Sequence, residues 1–335
     1  MRSIKVGTGI MLAAALTASS AVGALAQDDA TRIAFFASSA QNGYNQAIWE
    51  GVQEVAAAAG VEAEIFDGQF NPEVELANIE DAVASGNFDG FVLLANDTVG
   101  IASSVEEAFN DHGIPTVTTL FPIGSDLSTI EPQVDGIIAS VGAPPAPGAI
   151  LEAEKVVEFC ADKDPCNVVI MIGQLFNPFD NVRLEAFNEV LAEHDNIDIV
   201  STVEGGYFRD TSLTVMTDVL QANPQIDAVL SNADQHLSGA EIAILDADRD
   251  LEAMYLIGGG ATKEAVQAIR DGRWDATYAN FPRTMGVEAA KILLANLAGE
   301  DHPSSINMDT FLDIGPIVTT QDLLDNPDFE GEWEG

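Results

Sequence analysis

The sequence predicts an α/β protein made of two similar lobes, each of them a doubly wound parallel sheet. Short apolar runs alternate with amphipathic stretches along most of the chain. The alternation occurs twice, before and after a segment rich in proline and glycine at 141–149. Such a pattern is typical of parallel strands covered by helices on both faces. With 335 residues, the chain is long enough for two domains of ordinary size.

The predicted strands of the first half are the runs TRIAFFA, VEAEIF, FDGFVLLA and IPTVTTL. Helical periodicity marks NQAIWEGVQEVAAAAG and PEVELANIEDAVASG. In the second half the strands are NVVIMIG, IDIVSTV, IDAVLSN, AMYLIGG and ATYANF, and helices are predicted over about 177–194, 210–222, 234–246 and 262–271. The segment VGAPPAPGA separates the halves. Its prolines and glycines cannot continue a strand or a helix interior, which predicts a crossing between domains.

The first 26 residues have the layout of a cleaved secretory signal, with Arg2 and Lys5, an apolar stretch, and Ala-Leu-Ala before Gln27. Cleavage after Ala26 and export to the periplasm are predicted. A lipoprotein would need a cysteine at the cleavage point, so a freely diffusing protein is expected. No later segment approaches the roughly 20 apolar residues that span a membrane.

Acidic side chains outnumber basic ones by 54 to 13, which gives a formal net charge of −41. They are spread along the predicted helix faces and do not form one tail. Nucleic acid and anionic membranes bind basic patches, so the composition argues against both partners. Such a surface suits a salty external medium, although a cationic ligand is left open by the charge alone. A monomer is expected.

The cysteines of the chain, Cys160 and Cys166, lie between a predicted helix end and a strand start. In an oxidising compartment they can close a short loop, and a disulfide is predicted. Loop entropy gives so small a ring only about 2 kcal/mol of stabilisation. Metal binding is the weaker alternative, because no histidine or further cysteine is near in sequence to complete a site, and neither a metal nor a cofactor is expected.

Candidate binding residues follow from the rule that ligands of open parallel sheets bind beyond the carboxyl ends of the strands. The side chains at these positions are mostly amides, carboxylates and aromatic rings: Gln41, Asn42, Tyr44, Asp67, Asn96, Asp97, Thr119, Phe121, Gln174, Phe179, Asn181, Tyr207, Asn232, Asp234, Gln235, Gly259, Gly260 and Asn280. Planar amides and carboxylates bind adjacent hydroxyls in pairs, and aromatic faces cover C–H groups. This set predicts a sugar or polyol site. The competing interpretation is that Asn, Asp and Ser at these positions simply cap helices.

Motifs of catalysis are missing from the sequence. It contains no G-x-S-x-G, H-E-x-x-H or P-loop, and G-x-G-x-x-G does not follow the first strand. The run Gly258-Gly259-Gly260 predicts a tight turn with room for a ligand. The four histidines are scattered, and His236 is the one that could reach the cleft. The sequence therefore predicts a binding protein and not an enzyme.

A resemblance to a known family covers nearly all of the chain after the signal. It rests on NGYNQAIWEGV, FDGFVLLANDTVG, RLEAF at 183–187, RDTSLTVMTDVLQANPQIDAVLSNAD and RDGRWDATYANFPRTMGVEAAKILL. In these segments the chain resembles periplasmic sugar-binding proteins of ABC importers, of the ribose-binding group with the type I periplasmic binding fold. The resemblance implies two lobes joined by three crossings. It predicts an N-terminal lobe of 27–142 plus 282–308 and a C-terminal lobe of 143–281 plus 309–335.

The resemblance also implies which positions contact the ligand. They are Asn42, Tyr44 and Asn45 after the first strand, Asn181 with Arg183 two residues on, Tyr207, Asn232 with Asp234 beyond Ala233, and the hinge-side Asn280. Together with Asp97, Phe121, Phe179 and Gln235 from the strand-end rule, these form the predicted ligand site. Two carboxylates of the family pattern are replaced here, one by Thr119-Leu120-Phe121 and one by Gly259-Gly260. The glycines are expected to enlarge the pocket, which makes a polyol or a larger or modified sugar credible.

The sequence leads to one main hypothesis and two alternatives. The main one is a solute-binding protein that captures a neutral sugar or polyol by hinge closure and delivers it to an ABC transporter permease. The first alternative is a protein that binds an autoinducer-like polyol and docks on a membrane chemoreceptor. The second is a secreted hydrolase or isomerase with Asp97 and Asp234 as an acid-base pair.

Overall fold

The structure, a computed structural model, describes Met1 and residues 30–311 and 313–335. Apart from Met1, the predicted signal and its cleavage site lie outside the described residues. Thr31–Gly335 form one unit, and everything below concerns it. Within the described residues, none of the helices has the length and apolar character needed to cross a membrane.

In chain order, the elements of the described residues are β1 (Arg32–Ala37), α1 (Gly43–Ala59), β2 (Glu62–Asp67), α2 (Pro72–Ser85), β3 (Gly90–Leu93), α3 (Ala102–His112), β4 (Thr116–Leu120), β5 (Ile137–Gly142), α4 (Pro145–Cys160), β6 (Cys166–Ile172), α5 (Pro178–Ala192), β7 (Ile197–Glu204), α6 (Arg209–Ala222), β8 (Ala228–Ser231), α7 (Asp234–Asp246), β9 (Tyr255–Gly259), α8 (Lys263–Arg270), β10 (Ala276–Tyr278), α9 (Pro282–Leu297), β11 (Ser305–Asn307), β12 (Ile317–Thr319) and α10 (Thr320–Asp325). Short 3-10 helices lie at Leu251–Ala253 and Met308–Thr310.

Two sheets form the centres of two lobes. The first sheet has the order β11-β5-β4-β3-β1-β2 and the second the order β12-β10-β9-β8-β6-β7. All pairings are parallel except that of β12 with β10. The predicted fold class, two doubly wound α/β lobes, is therefore confirmed.

Alternation along β1 shows how both faces of the first sheet are buried. Ile33 and Phe35 belong to the hydrophobic cluster beneath α1 and α9, whereas Ala34 and Phe36 belong to the cluster beneath α2 and α3. A strand that is covered on both sides needs apolar residues at every position, which explains why RIAFFA reads as a continuous apolar run. The second lobe has the same construction, with α4 and α5 on one face and α6 and α7 on the other.

The described chain passes from one sheet to the other three times. These three crossings form the hinge that the fold class implies. The changes occur between β5 and β6, between β10 and β11, and between β11 and β12. Helix α4 packs on strands of the second sheet, and α9 packs on strands of the first. The exact lobe boundaries at 142/143, 281/282 and 308/309 remain a prediction.

The proline-rich segment between the halves differs from expectation, because α4 begins inside it at Pro145. Pro145 and Pro147 occupy the first turn, where backbone N–H groups have no partner within the helix and proline is tolerated. Gly148 follows, and a side chain there would collide with the ring of Tyr278 from β10. The segment therefore leads directly from the crossing into a helix of the second lobe.

Close packing of α1 on α9 fixes the first turn of α1 near the cleft. A Cβ atom on Gly51 would overlap the carbonyl oxygen of Arg283, and one on Gly286 would overlap that of Ile48. Only glycine permits the two backbones to approach this closely. Because α9 starts at the second crossing, this contact connects the hinge to the polar turn before α1.

The predicted disulfide is present between Cys160, the last residue of α4, and Cys166, the first of β6. Both cysteines are fully buried in the second lobe. The bridge lies on the loop between this helix and strand and acts as the local staple that the sequence predicts.

Candidate ligand-binding site

A cavity of about 590 Å³ lies between the lobes, at the carboxyl ends of strands from both sheets. This volume includes space that is open to bulk solvent. Its walls combine amides, aromatic rings and a single cationic side chain among the described residues: Ser38, Asn42, Tyr44, Asn45, Phe70, Leu94, Asn96, Leu120, Phe121, Gln174, Asn177, Arg183, Tyr207, Asn232, Ala233, Gln235, Gly259, Gly260, Asn280 and Trp333. The strand-end rule thus locates the cavity correctly.

The turn between β1 and α1 forms part of the first-lobe wall. The side-chain oxygen of Asn42 accepts hydrogen bonds from the backbone N–H groups of Tyr44 at 2.9 Å and Asn45 at 3.4 Å, which caps α1. It also accepts from the amide of Asn45 at 3.3 Å, while Ser38 donates to the Asn45 oxygen at 3.2 Å. The helix-capping interpretation therefore holds for the oxygen of Asn42. Its Nδ2 group is the part that remains for a ligand.

Asn96, just beyond β3, is held by a buried carboxylate. Its backbone N–H donates to Oε2 of Glu75 at 2.7 Å, and its side-chain amide donates to the carbonyl oxygen of Ser38 at 3.1 Å. Glu75 is 1% exposed, and burial raises the pKa of this carboxyl to about 8 despite the bonds from Asn96. The cavity wall on this side thus depends on an internal acid that does not itself line the cavity.

Asp180 organises the second-lobe wall from behind. Its Oδ1 accepts from the hydroxyl of Tyr207 at 2.5 Å and from Nδ2 of Asn232 at 3.0 Å, and its Oδ2 accepts from the backbone N–H of Gln174 at 2.7 Å. Burial raises the pKa of Asp180, while Arg183 acts in the opposite direction. One fully buried carboxyl group therefore fixes two side chains and one backbone N–H group around the cavity.

Arg183 supplies the positive charge of the cavity. Its guanidinium lies 3.7 Å from Oδ1 of Asp180 and 4.5 Å from the ring centre of Phe179. Burial alone would lower the pKa of Arg183, but Tyr207, Asp180 and the buried Glu152 outweigh it and raise the pKa. The guanidinium stays charged and lies beside the carboxyl group of Asp180.

Aromatic rings from the two lobes meet at the cavity. Phe121 of the first lobe packs on Phe179 of the second at 4.3 Å between ring centres. Phe70 stacks on Tyr207 at 6.4 Å and meets Phe208 edge to face at 5.6 Å. Phe70 and Tyr207 have φ angles of 50° and 63°, the left-handed region that non-glycine residues seldom adopt. These turns aim the two rings at each other across the cleft.

Four predicted site residues do not line the cavity. Asp97 accepts from the backbone N–H groups of Val99 and Gly100 in its own loop, both at 2.9 Å. Asn181 is exposed and donates to the carbonyl oxygen of Leu175 at 2.9 Å. Phe179 is 1% exposed and lies behind Phe121 and Arg183.

Asp234, the fourth, is fully buried at the start of α7. It accepts from Thr262 N–H and Thr277 Oγ1, each at 2.8 Å, so it ties α8 and β10 together. Burial raises its pKa to about 6. With Asp97 in the first lobe and outside the cavity as well, the two carboxylates do not face the cavity as the acid-base alternative requires.

His236 does not reach the cavity either. It is fully buried, its Nε2 accepts from the backbone N–H of Tyr207 at 3.1 Å, and its Nδ1 lies 2.8 Å from Ser231 Oγ. Burial lowers its pKa to about 3, so the ring is neutral at ordinary pH. It supports the strained turn that carries Tyr207. No cluster of three or more potential metal-binding side chains occurs in the part of the chain that the structure describes.

The structure also places on the wall several residues that sequence reasoning did not select, among them Phe70, Asn177 and Trp333. The space beside Gly260 is occupied. A Cβ atom built there would lie 2.7 Å from the Trp333 ring, and one on Gly259 would lie 2.6 Å from the carbonyl oxygen of Asn232. The expectation that these glycines enlarge the pocket is therefore wrong, because neighbouring groups already fill the space.

Two hinged α/β lobes with a cavity between their strand ends, lined by amides and aromatic rings, define a cleft-type binding protein. A family profile described as periplasmic binding protein domain matches residues 33–301. The chain belongs to this family, as the resemblance predicted.

Curated relatives and solved structures agree with this assignment. Ribose import binding protein RbsB of Salmonella typhimurium is 26% identical over 295 residues, which are 87% of this chain and 92% of the relative. Among structures, a Mycobacterium smegmatis protein in complex with Beta-D-Fucofuranose has a TM-score of 0.77 at 22% identity and covers 89% of this chain and 95% of its own. An ABC transporter solute binding protein from Bacillus halodurans C-125 with bound myo-inositol has a TM-score of 0.76 at 23% identity, with 90% and 98% covered. The structural similarities support the fold.

Proposed function

We propose that this protein is the solute-binding component of an ABC importer and captures a neutral sugar or polyol between its lobes. The observation that carries the proposal is the composition of the cavity, whose walls from both lobes present amides and aromatic rings and, among the described residues, no carboxylate. Amides suit paired hydroxyl groups, and rings suit C–H faces. The names of the relatives, which are import binding proteins for ribose and other sugars, agree with this ligand class.

Ligand binding in this arrangement is coupled to closure of the cleft. Asn42 and Asn45 belong to the first lobe, whereas Arg183, Tyr207 and Asn232 belong to the second. A ligand that contacts both sets binds the closed conformation better than the open one, and it shifts the population by the difference in its affinity for the two. The closed protein is then the form that a membrane permease would recognise.

Charge in the cavity is compatible with a neutral ligand. Arg183 carries the positive charge, and Asp180 stands 3.7 Å behind it. The guanidinium can therefore donate to hydroxyl oxygens of the ligand without requiring a net anion. Oδ1 of Asn232, which is buried and has no hydrogen-bond partner among the described residues, can accept a hydroxyl proton.

The remaining parts of the proposal concern the context of the protein. Export to the periplasm and transfer of the ligand to a permease agree with the family and with the relatives described as import binding proteins. Cleavage after Ala26 and a monomeric state stay predictions. These descriptions favour import over signalling, and a chemoreceptor partner stays a prediction. The family consists of solute-binding proteins and not of enzymes.

A thermal-shift screen tests the proposal directly. The panel contains D-ribose, D-allose, L-arabinose, D-galactose and myo-inositol, with citrate and lysine as charged comparisons. Ligand at about 100 times its Kd stabilises the folded state by about 2.7 kcal/mol, which raises the Tm of a chain of this length by about 4 °C. A shift with a neutral panel member is expected. If only the charged compounds raise Tm, or none of the compounds does, the proposed ligand class is contradicted.

Substitution of one amide in each lobe tests the two-sided site. Asn232→Ala removes the buried acceptor, and Asn42→Ala removes the Nδ2 group of the first lobe together with a helix cap. Each variant is expected to raise the Kd of the identified ligand about tenfold or more, as measured by isothermal calorimetry. Asn87→Ala, at an exposed loop position that does not line the cavity, is the matched control. Unchanged affinity in Asn232→Ala would remove that residue from the site.

A further inference from the structure

The last described segment of the chain crosses the cleft region, and we call residues 329–335 the C-terminal strap. Phe329, at its start, meets Phe281 of the second crossing edge to face at 6.4 Å. The guanidinium of Arg270 donates to the carbonyl oxygen of Phe329 at 2.6 Å. The strap therefore leaves α10 in contact with the hinge and with the second lobe.

The strap is bonded to the second lobe at the turn after β9. The backbone N–H of Lys263 donates to the carbonyl oxygen of Trp333 at 2.9 Å. The indole Nε1–H of Trp333 donates to the carbonyl oxygen of Gly260 at 2.8 Å. Lys263 also pairs with Glu334 at 2.5 Å. These bonds hold Trp333 against the glycine turn that borders the cavity.

The same segment is bonded to the first lobe. Both carboxylate oxygens of Glu332 accept from Thr284 in the first turn of α9, one of them from its backbone N–H at 3.0 Å. The indole of Trp333 meets the ring of Tyr44 edge to face at 5.2 Å between centres. Since α9 and Tyr44 belong to the first lobe, the strap contacts both lobes within a few residues.

Trp333 also forms part of the cavity wall, between Tyr44 and Gly260. It is 4% exposed, although the exposed residues Glu330 and Glu334 lie close to it in the chain. A large ring buried at the meeting point of two lobes and a ligand cavity has more contact area to offer a ligand than the short amides around it.

We propose that Trp333 is a ligand-contacting, specificity-determining residue, and that the strap holds it in place across the cleft; the inference rests on the proposed function. The indole covers the C–H face of a sugar or cyclic polyol. Its bulk beside Gly260 sets the upper size limit of the ligand on that side. Because its anchors lie on both lobes, the ring is positioned correctly only when the cleft is closed.

The experiment compares Trp333→Ala, Trp333→Phe and the exposed-site control Leu324→Ala on α10, which is 69% exposed. The probe is the member of the sugar and polyol panel that most raises the Tm of the unchanged protein. Trp333→Ala is expected to raise the Kd of this probe at least tenfold, and Trp333→Phe about threefold. Leu324→Ala is expected to leave the Kd unchanged. Binding of disaccharides, measured in parallel, should improve in Trp333→Ala relative to the monosaccharide.

Fluorescence separates ligand contact from a merely structural role. The chain has three tryptophans, and neither Trp49 nor Trp274 lines the cavity. Addition of the probe should change the tryptophan emission of the unchanged protein, and the change should be lost in Trp333→Phe. This readout needs no destabilised variant, so it decides the question even if Trp333→Ala does not fold.

The possible results distinguish failure of the proposed function from failure of the role proposed for Trp333. If the unchanged protein binds no panel member, the proposed function is contradicted and the inference with it. If the unchanged protein binds but Trp333→Ala binds as tightly, or Trp333→Phe keeps the full emission change, the role of Trp333 is contradicted while the proposed function stands.

Discussion

Replacement of Arg183 by methionine is expected to raise the Kd of the bound sugar or polyol about 100-fold, which corresponds to about 2.7 kcal/mol. The guanidinium is the only charged donor among the described cavity-lining residues. Hydrogen bonds to charged groups contribute more than those between neutral groups, and more still where water is excluded. Methionine keeps most of the aliphatic volume, so the loss reports the missing donors and not a cavity in the wall.

The folded state should tolerate this change better than ligand binding does. Asp180 keeps its bonds from Tyr207, Asn232 and the backbone of Gln174. Burial already raises the pKa of Asp180, and loss of the neighbouring cation raises it further, so the carboxyl can be neutral in the variant. Urea unfolding of Arg183→Met without ligand is expected to show a loss of unfolding free energy much smaller than the about 2.7 kcal/mol lost in ligand binding.

Arg209→Met is the matched control for Arg183→Met. Arg209 lies in the first turn of α6, is exposed, and is absent from the cavity wall. Its replacement changes the net charge by the same amount, so it corrects for long-range electrostatics. Calorimetric Kd values within about threefold of the unchanged protein in Arg183→Met would show that the guanidinium does not contact the ligand.

Periodicity made most of the fold predictable from the sequence, because strands buried on both faces must be apolar throughout. RIAFFA and CNVVIMI are of this kind, and both were predicted as strands within the runs TRIAFFA and NVVIMIG. Strand β5 was not predicted. Its sequence IIASVG is apolar too, but it follows an irregular segment and precedes prolines, so no alternation marked it. The short β11 and β12 at the crossings gave no signal either.

Part of the site was predictable because its location follows from topology. Asn42, Tyr207 and Asn232 lie in the turns that follow strands, and parallel strands bring their carboxyl ends to one edge. The rule does not say which way a side chain points. Asn181 follows a strand as well, yet it lies on the exposed side of α5, two residues before the inward-facing Arg183.

Other site residues could not be predicted because they depend on distant parts of the chain. Trp333 reaches the cavity only through the strap, whose bonds join residues about 50 to 70 positions apart. Asp180 acts from behind Arg183 and Tyr207, so no strand-end pattern indicates it. The sequence predicted that Gly259 and Gly260 enlarge the pocket. In the structure the space beside them is occupied by the Asn232 carbonyl group and the Trp333 ring.

Ionisation of Glu75 is expected to lower the free energy of unfolding as the pH rises. The variant Glu75→Gln is expected to lack this contribution. The pKa of Glu75 is raised from 4.5 to about 8, first of all by burial. Between these values the unfolded chain has lost the proton that the folded protein still holds. Stabilisation from this group is therefore complete below pH 4.5, declines by up to about 1.4 kcal/mol per pH unit above it, and is lost at about pH 8.

Glutamine can keep the bond that positions Asn96, because its amide oxygen can accept from the same backbone N–H that Oε2 of Glu75 accepts from at 2.7 Å. It never ionises, so the difference in unfolding free energy between Glu75→Gln and the unchanged protein should grow from pH 5 to pH 8, to a few kcal/mol in favour of the variant. Glu80→Gln, on the exposed face of the same helix, is the matched control.

Urea titrations of the three proteins at pH 5, 6.5 and 8 measure these differences and remove the contribution of the other carboxylates. A Glu75→Gln difference that stays flat with pH would mean that Glu75 ionises normally in the folded protein. The result also bears on binding, because Asn96 lies on the cavity wall and is held through this carboxyl. If ionisation of Glu75 loosens that turn, ligand affinity should weaken near pH 8 in the unchanged protein and remain constant in Glu75→Gln.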